Sequence, residues 1–167
     1  YIEKRIAPRV PVVRAMPNLP IRLAAGVAGV CKGRFATDED MAFVMQLFAA
    51  GGDAVALEDE GLIDAVTAVS GSGPAYFYYF VEAMTEAGVE LGLSRQQALV
   101  LAKYTCLGAG RMMVETGEDP AELRQKVSSK GGTTLAALEV MEKADVKGKI
   151  QAAVRRAFER ARELGRS

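Results

Sequence analysis

The chain has 167 residues, half of them hydrophobic, with 21 basic and 21 acidic side chains and no histidine. That is enough to bury a core in one ordinary domain or two small ones, and no net field directs the chain to nucleic acid, a membrane surface or an acidic partner. Without imidazole, Ser-His-Asp hydrolysis, Cys-His proteolysis and histidine-ligated zinc are excluded in their usual forms, which leaves chemistry that works by positioning and hydrogen-bond donation.

Two cysteines, Cys31 and Cys106, form no Cys-x-x-Cys pair, and no secretory apolar segment is present. A reducing cytoplasm is the expected location. The longest uncharged run, residues 65–81, is broken by Ser-Gly-Ser-Gly-Pro and reads poorly as a membrane span.

In chain order, "YIEKRI" reads as a helix end, and "VPVVRAMPNLP" as a buried strand leaving through a proline-rich loop. "AGVAGVCKG" is a second strand of small and β-branched residues. "TDEDMAFVMQLFAAGG" is a helix with Thr37 as N-cap, Asp40 at its third position, and Phe43, Leu47 and Phe48 expected on one apolar face. "DAVALED" returns as a strand, so residues 1–60 are βαβ material that begins abruptly, as though inside an α/β domain.

From Gly61 onward the strand signal ends. "SGSGPAYFYYFVEAM" is expected to start a helix, with Ser72 as its cap and Pro74 in the first turn. Ser94 with Gln97, and Asp119 with Glu122, have capping-box spacing, and Asp145 stands where it can cap the last helix. Residues 61–167 are therefore expected to be all-helical. "AYFYYFVEAM" and "ALVLAKYTCLGAGRMM" are apolar around their whole circumference, so a second copy of the chain is the natural cover, with Gly88, Gly92, Gly108 and Gly110 permitting close helix crossings. In "RRAFERAR" the spacings Arg155 to Glu159 and Arg160 to Glu163 describe a solvated, ion-paired face.

"KVSSKGGTTLAAL", residues 126–138, places hydroxyls and glycines directly before an apolar helical run. Glycines 131 and 132 allow close backbone approach, and Thr133 or Thr134 can cap a helix beginning at Leu135, so that several amides converge on a small anion such as a carboxylate. A polar interhelical loop with a good cap explains the same residues equally well. No Walker A spacing is present, and "SGSGP" and "GAGRMM" both lack the third glycine of a dinucleotide fingerprint. Nor is Ser72 in a G-x-S-x-G elbow.

The motifs "VVRAMPNLP", "LIDAVTAVSGSGPAYFYYFVEAM", "GLSRQQALVLA" and "VSSKGGTTLAALEVME", in this order and spacing, closely resemble pyrroline-5-carboxylate reductase. The resemblance implies an α/β remnant, the end of a Rossmann domain, over residues 1–60, followed by an all-α dimerisation and substrate-binding domain over 61–167. Such enzymes reduce 1-pyrroline-5-carboxylate, a cyclic imino acid, to proline with NADPH or NADH. Their fingerprint G-x-G-x-x-G has no counterpart here, so the chain looks like the C-terminal portion of a longer enzyme.

Carried over by position, the resemblance puts the substrate carboxylate on Ser129 and the amides of Gly132, Thr133 and Thr134. The Thr134 hydroxyl faces the imine nitrogen as the catalytic group, Val127 lines the ring, and Met16, Pro17 and Asn18 lie near the nicotinamide. No metal is implied. The family pairs its helical domains into homodimers and assembles these further into rings of dimers. A truncated, inactive dimerisation module is the alternative reading, and a related hydroxy-acid dehydrogenase using Lys130 for proton transfer is a weaker one.

Overall fold

The computed structural model describes residues 2–165, which fall into two compact units, one running up to Pro74 and resuming from Ala153, the other Ala75–Ala152. The first holds a three-stranded sheet in the order β1 (Val13–Pro17), β2 (Gly26–Lys32), β3 (Gly52–Leu57). β2 pairs parallel with β3, from Gly26 opposite Gly52 to Cys31 opposite Leu57, and antiparallel with β1, Met16 lying opposite Gly29. The parallel pair is joined through α1 (Asp38–Ala49), the expected βαβ unit.

β2 lies between two strands with helices packed against it, so its burial does not alternate: Ala28, Gly29, Val30 and Cys31 are all buried in succession. This is how a strand covered on both faces reads in sequence. Burial raises the Cys31 thiol pKa, Glu60 and Asp59 add to the rise, and Arg14 opposes it. A Cβ on Gly29 would come within 2.7 Å of Val66, so the missing side chain is what lets the helix carrying Val66 rest on the strand.

Thr37 and Asp40 form the reciprocal capping box, Asp40 N donating to Thr37 Oγ1 at 3.1 Å and Thr37 N to Asp40 Oδ2 at 2.8 Å. The apolar face of α1 differs from expectation. Met41, Val44, Met45 and Phe48 are its half-buried side, whereas Phe43 and Leu47 are exposed at 68% and 62%. The half-buried four follow an i, i+3, i+4, i+7 stripe, and Phe43 falls off it. The proline-rich exit of β1 is a 3-10 turn, Leu19–Leu23, rather than an irregular loop.

Past Leu57 no further strand occurs among the described residues. Ser72 does not cap a new helix there. After a 3-10 turn at Glu60–Leu62, α2 (Ile63–Val66) passes through a single π turn, Thr67–Gly71, into α3 (Gly73–Glu90). Ser72 has helical dihedrals and its amide donates to Thr67 O at 2.8 Å, a five-residue reach. The Ser-Gly-Ser-Gly run that reads as a break is thus absorbed as one wide turn. Thr67 Oγ1 and Ser70 Oγ also donate to the carbonyls four residues back, Ile63 O at 2.8 Å and Val66 O at 3.0 Å.

The second unit takes α3 from Ala75, then α4 (Arg95–Thr116), α5 (Pro120–Lys126), α6 (Thr133–Lys143) and the start of α7 (Val146–Gly165). Ser94 and Gln97 form the expected box, at 3.2 and 2.9 Å. Asp119 caps α5 through Ala121 N alone, at 2.7 Å, without the reciprocal Glu122 bond expected. Asp145 Oδ1 accepts from Gly148 N at the start of α7.

Gly88 makes a close crossing, since a Cβ there would lie 2.9 Å from Ala98 Cβ, but Gly92, Gly108 and Gly110 face open space. At the far end of α7, in the first unit, Arg160 pairs with Glu163 at 2.7 Å as expected, and Glu159 is held by Arg156 rather than Arg155. Among the described residues no helix is long and apolar enough to cross a membrane.

Candidate functional site

The segment from Val127 to Thr134 lies wholly in the second unit and turns the chain from α5 into α6. Val127 ends α5, and Ser128 is tied back to it, its N to Gln125 O at 3.0 Å and its Oγ to Arg124 O at 2.6 Å. Ser129 is exposed. Gly131 has φ +76°, a conformation that suits glycine, and the turn closes with Gly132 N donating to Ser129 O at 2.9 Å. A Cβ on Gly132 would fall 2.5 Å from Ser129 Oγ, so hydroxyl and helix start share one small space.

The helix start itself differs from expectation. α6 begins at Thr133, not Leu135, and its N-cap is Gly132, with no side-chain cap from either threonine. The reason is that Gly132 already takes the extended cap conformation, φ −81° and ψ 165°, and its carbonyl accepts the first helical bond, from Ala136 N at 3.3 Å. The amides of Thr133, Thr134 and Leu135 precede that bond and have no partner within the helix. Gly132 N–H, by contrast, is already engaged. Thr134 is half-buried, whereas Ser129, Lys130 and Thr133 are exposed, and so is Val127.

Three amides, two outward hydroxyls and a helix N-terminus make an arrangement that accepts a small anion. One neighbouring base, Lys126, is committed to an ion pair with Glu118. Met16, Pro17 and Asn18 lie in the other unit, at the carboxyl end of β1, which runs antiparallel to β2 and so ends beside the first residues of that strand. Asn18 Oδ1 accepts from Val27 N at 3.0 Å and Asn18 N donates to Val27 O at 3.2 Å, which fixes the backbone leaving β1. Against this strand rests the π turn at Thr67–Gly71, which the sequence reading passed over. The signal that could have found it is the pairing of Thr67 and Ser70, each able to bond its own preceding turn within an otherwise helical run.

A separate cavity of about 670 Å³ in the first unit is lined by Arg14, Cys31, Lys32, Glu60, Asp64 and Arg162 among others, and Arg14 and Glu60 pair in it at 2.7 Å. It contains none of the substrate- or cofactor-site residues expected from the sequence. Among the described residues no group of three or more His, Cys, Asp or Glu side chains could hold a metal ion.

Fold and segment together define a helical module whose α6 start leaves amides without an intrahelical partner, preceded by a βαβ portion of an α/β sheet. Residues 60–164 match the family model described as pyrroline-5-carboxylate reductase dimerisation, and the chain belongs to that family. It is 43% identical over 155 residues to a pyrroline-5-carboxylate reductase of Methanosarcina acetivorans, covering 93% of this chain and 57% of that one. The solved reductase of Coxiella burnetii superposes with a TM-score of 0.94 at 37% identity, over 98% of this chain and 60% of its own. A Plasmodium falciparum pyrroline carboxylate reductase, solved with NADP bound, superposes at 0.86 with 30% identity, over 98% of this chain and 66% of its own. The chain spans 57% and 61% of the first two curated relatives it matches.

Proposed function

We propose that the protein is an oxidoreductase that reduces 1-pyrroline-5-carboxylate to proline with NADPH or NADH. The observation that carries the reading is the start of α6, where the Thr133 and Thr134 amides precede the first helical bond and the Ser129 hydroxyl lies beside Gly132 in the same turn. Ser129, Thr133 and Thr134 take the substrate carboxylate. Gly132 contributes by the absence of a side chain that would crowd Ser129, since its own N–H is occupied. Val127, exposed beside the turn, offers an apolar surface to the ring. The Thr134 hydroxyl is the catalytic group, a hydrogen-bond partner for the ring nitrogen as it passes from imine to amine.

Met16, Pro17 and Asn18 take the edge of the nicotinamide. The half-buried Met16 and exposed Pro17 at a strand end suit an apolar ring, so the residues present fit that end of the cofactor; the described residues carry no glycine-rich turn for its pyrophosphate. Bound NAD(P)H supplies the hydride that reduces the imine carbon. A protonated imine is already electrophilic, so a chain without histidine is no obstacle.

The domain division at 60/61, a cytoplasmic location and a homodimer built on the helical domain, with rings of dimers beyond it, belong to the same reading. The family match beginning at residue 60 supports the division. The exposed apolar helices of the second unit support self-association.

Replacing Thr134 by alanine removes a partner from a buried polar group, which costs about 1–3 kcal/mol, or roughly 5-fold to 100-fold in kcat/KM. Imine-dependent NADPH oxidation by the full-length enzyme measures it, and an unchanged rate would remove Thr134 from the mechanism. The competing reading, a dimerisation module inactive by itself, is favoured by the chain's span of its relatives. Light scattering with an NADPH titration decides: turnover by these 167 residues alone would exclude it.

A further inference from the structure

We propose that Gly71 is a positioning residue for the nicotinamide end of the site, acting through the side chain of Met16; the proposal rests on the reading that Met16 borders that ring. The backbone around Met16 is already fixed, by its pairing opposite Gly29 in β2 and by the two Asn18–Val27 hydrogen bonds just beyond it. What remains free is the side chain, an unbranched thioether with three rotatable bonds that adopts whatever shape its surroundings leave.

The surroundings are the π turn. A Cβ on Gly71 would lie 2.8 Å from Met16 Cε and 3.7 Å from Thr67 Cγ2. The Met16 methyl therefore occupies the place where any other residue at position 71 would carry its first carbon. The wide turn is held open from within: Ser72 N reaches back to Thr67 O, while the Thr67 and Ser70 hydroxyls are spent on their own preceding turn. π turns are rare and recur at functional sites. Here the turn presents its one side-chain-free residue to the flexible methionine at the end of β1.

Because the clash in Gly71→Ala falls on the far end of a flexible chain, the methionine yields and the fold survives. Its methyl then moves away from the seat and alters the apolar surface offered to the ring. The experiment uses the full-length protein labelled with 13C at the methionine methyls. Methionine methyls give few resonances, seven of them from these 167 residues, and Met16→Ala identifies the one from Met16.

The expected result is a displaced Met16 methyl resonance in Gly71→Ala without ligand, together with an NADPH Kd raised roughly 5-fold to 20-fold by the cofactor's own fluorescence, while the KM for the imine changes less than 2-fold. Met16→Ala/Gly71→Ala should bind NADPH no more weakly than Met16→Ala alone, because residues that act through one contact are not additive. A Gly71→Ala protein with wild-type Kd, or a double variant in which the two losses multiply, overturns the proposal while leaving the reductase reading intact. A wild-type protein that neither binds NADPH nor reduces the imine overturns the reading itself, and the inference with it.

Discussion

The two units meet the same physical demand in different ways. The sheet unit closes its own core: β2 is sealed between two strands and their helices, with Ala28 and Val30 fully buried and Ile63 and Ala68 nearly so. In the helical unit only the small Ala98 and Ala102, with Thr85, are buried, while Tyr79 and Tyr104 are 74% and 68% exposed and Val114 83%. A strand satisfies its backbone and its side chains together by acquiring neighbours in one sheet. A helix satisfies its backbone alone, and an all-round apolar helix still needs covering on every side. Sequence apolarity is therefore a measure of demand, and the contrast between the units locates where the demand is unmet within one chain.

The contrast breaks most visibly at Tyr104. If a second copy covers the helical unit, Tyr104→Asp loses the burial of an aromatic ring and places a charge there, worth about 3 kcal/mol or more. Dimer dissociation should then strengthen roughly 100-fold, as read by light scattering against concentration; an unchanged mass distribution would mean that this face is not the contact.

The sheet unit should respond in the opposite manner. Val30→Ala opens a cavity in a closed core and should lower stability by about 1–3 kcal/mol in chemical denaturation, with the association constant unaltered. A fall in association instead would show that the two units are not independent in this respect.

The smallest effect is that of acid, and it sharpens the contrast because it concerns the sheet unit alone. Hydrogen bonding to Lys32 lowers the Asp38 pKa, bonding to the Thr37 backbone and hydroxyl lowers that of Asp40, and Arg160 followed by Arg156 lowers that of Glu163. The unfolded chain consequently takes up protons first as pH falls. The contribution of these groups is complete above about pH 5 and is lost progressively below it, through the carboxylate range. Urea midpoints measured from pH 7 to pH 3 should fall, and replacing Asp38 and Asp40 by asparagine should flatten the decline.

Much of this architecture could be read from local chemistry. Thr37 with Asp40, Ser94 with Gln97, and Asp145 each announce a helix start because a cap is a contact between residues two or three apart. The strands were legible for a related reason, their small and β-branched runs being bounded by glycine and proline. The turn between α5 and α6 was half legible: its glycines and hydroxyls were apparent, yet the helix began two residues early because Gly132 caps by backbone conformation alone.

Residue types and their spacing settled the order of the main elements and the family, since each depends on side chains close together in the chain or on motifs in sequence. Which face of α1 is covered, how Ser-Gly-Ser-Gly becomes a π turn, and which glycines meet another helix were fixed only in the folded molecule. Those outcomes depend on steric contact between residues of different elements, as when Met16 meets Gly71 or Gly88 meets Ala98. No periodicity within a single segment encodes such a meeting.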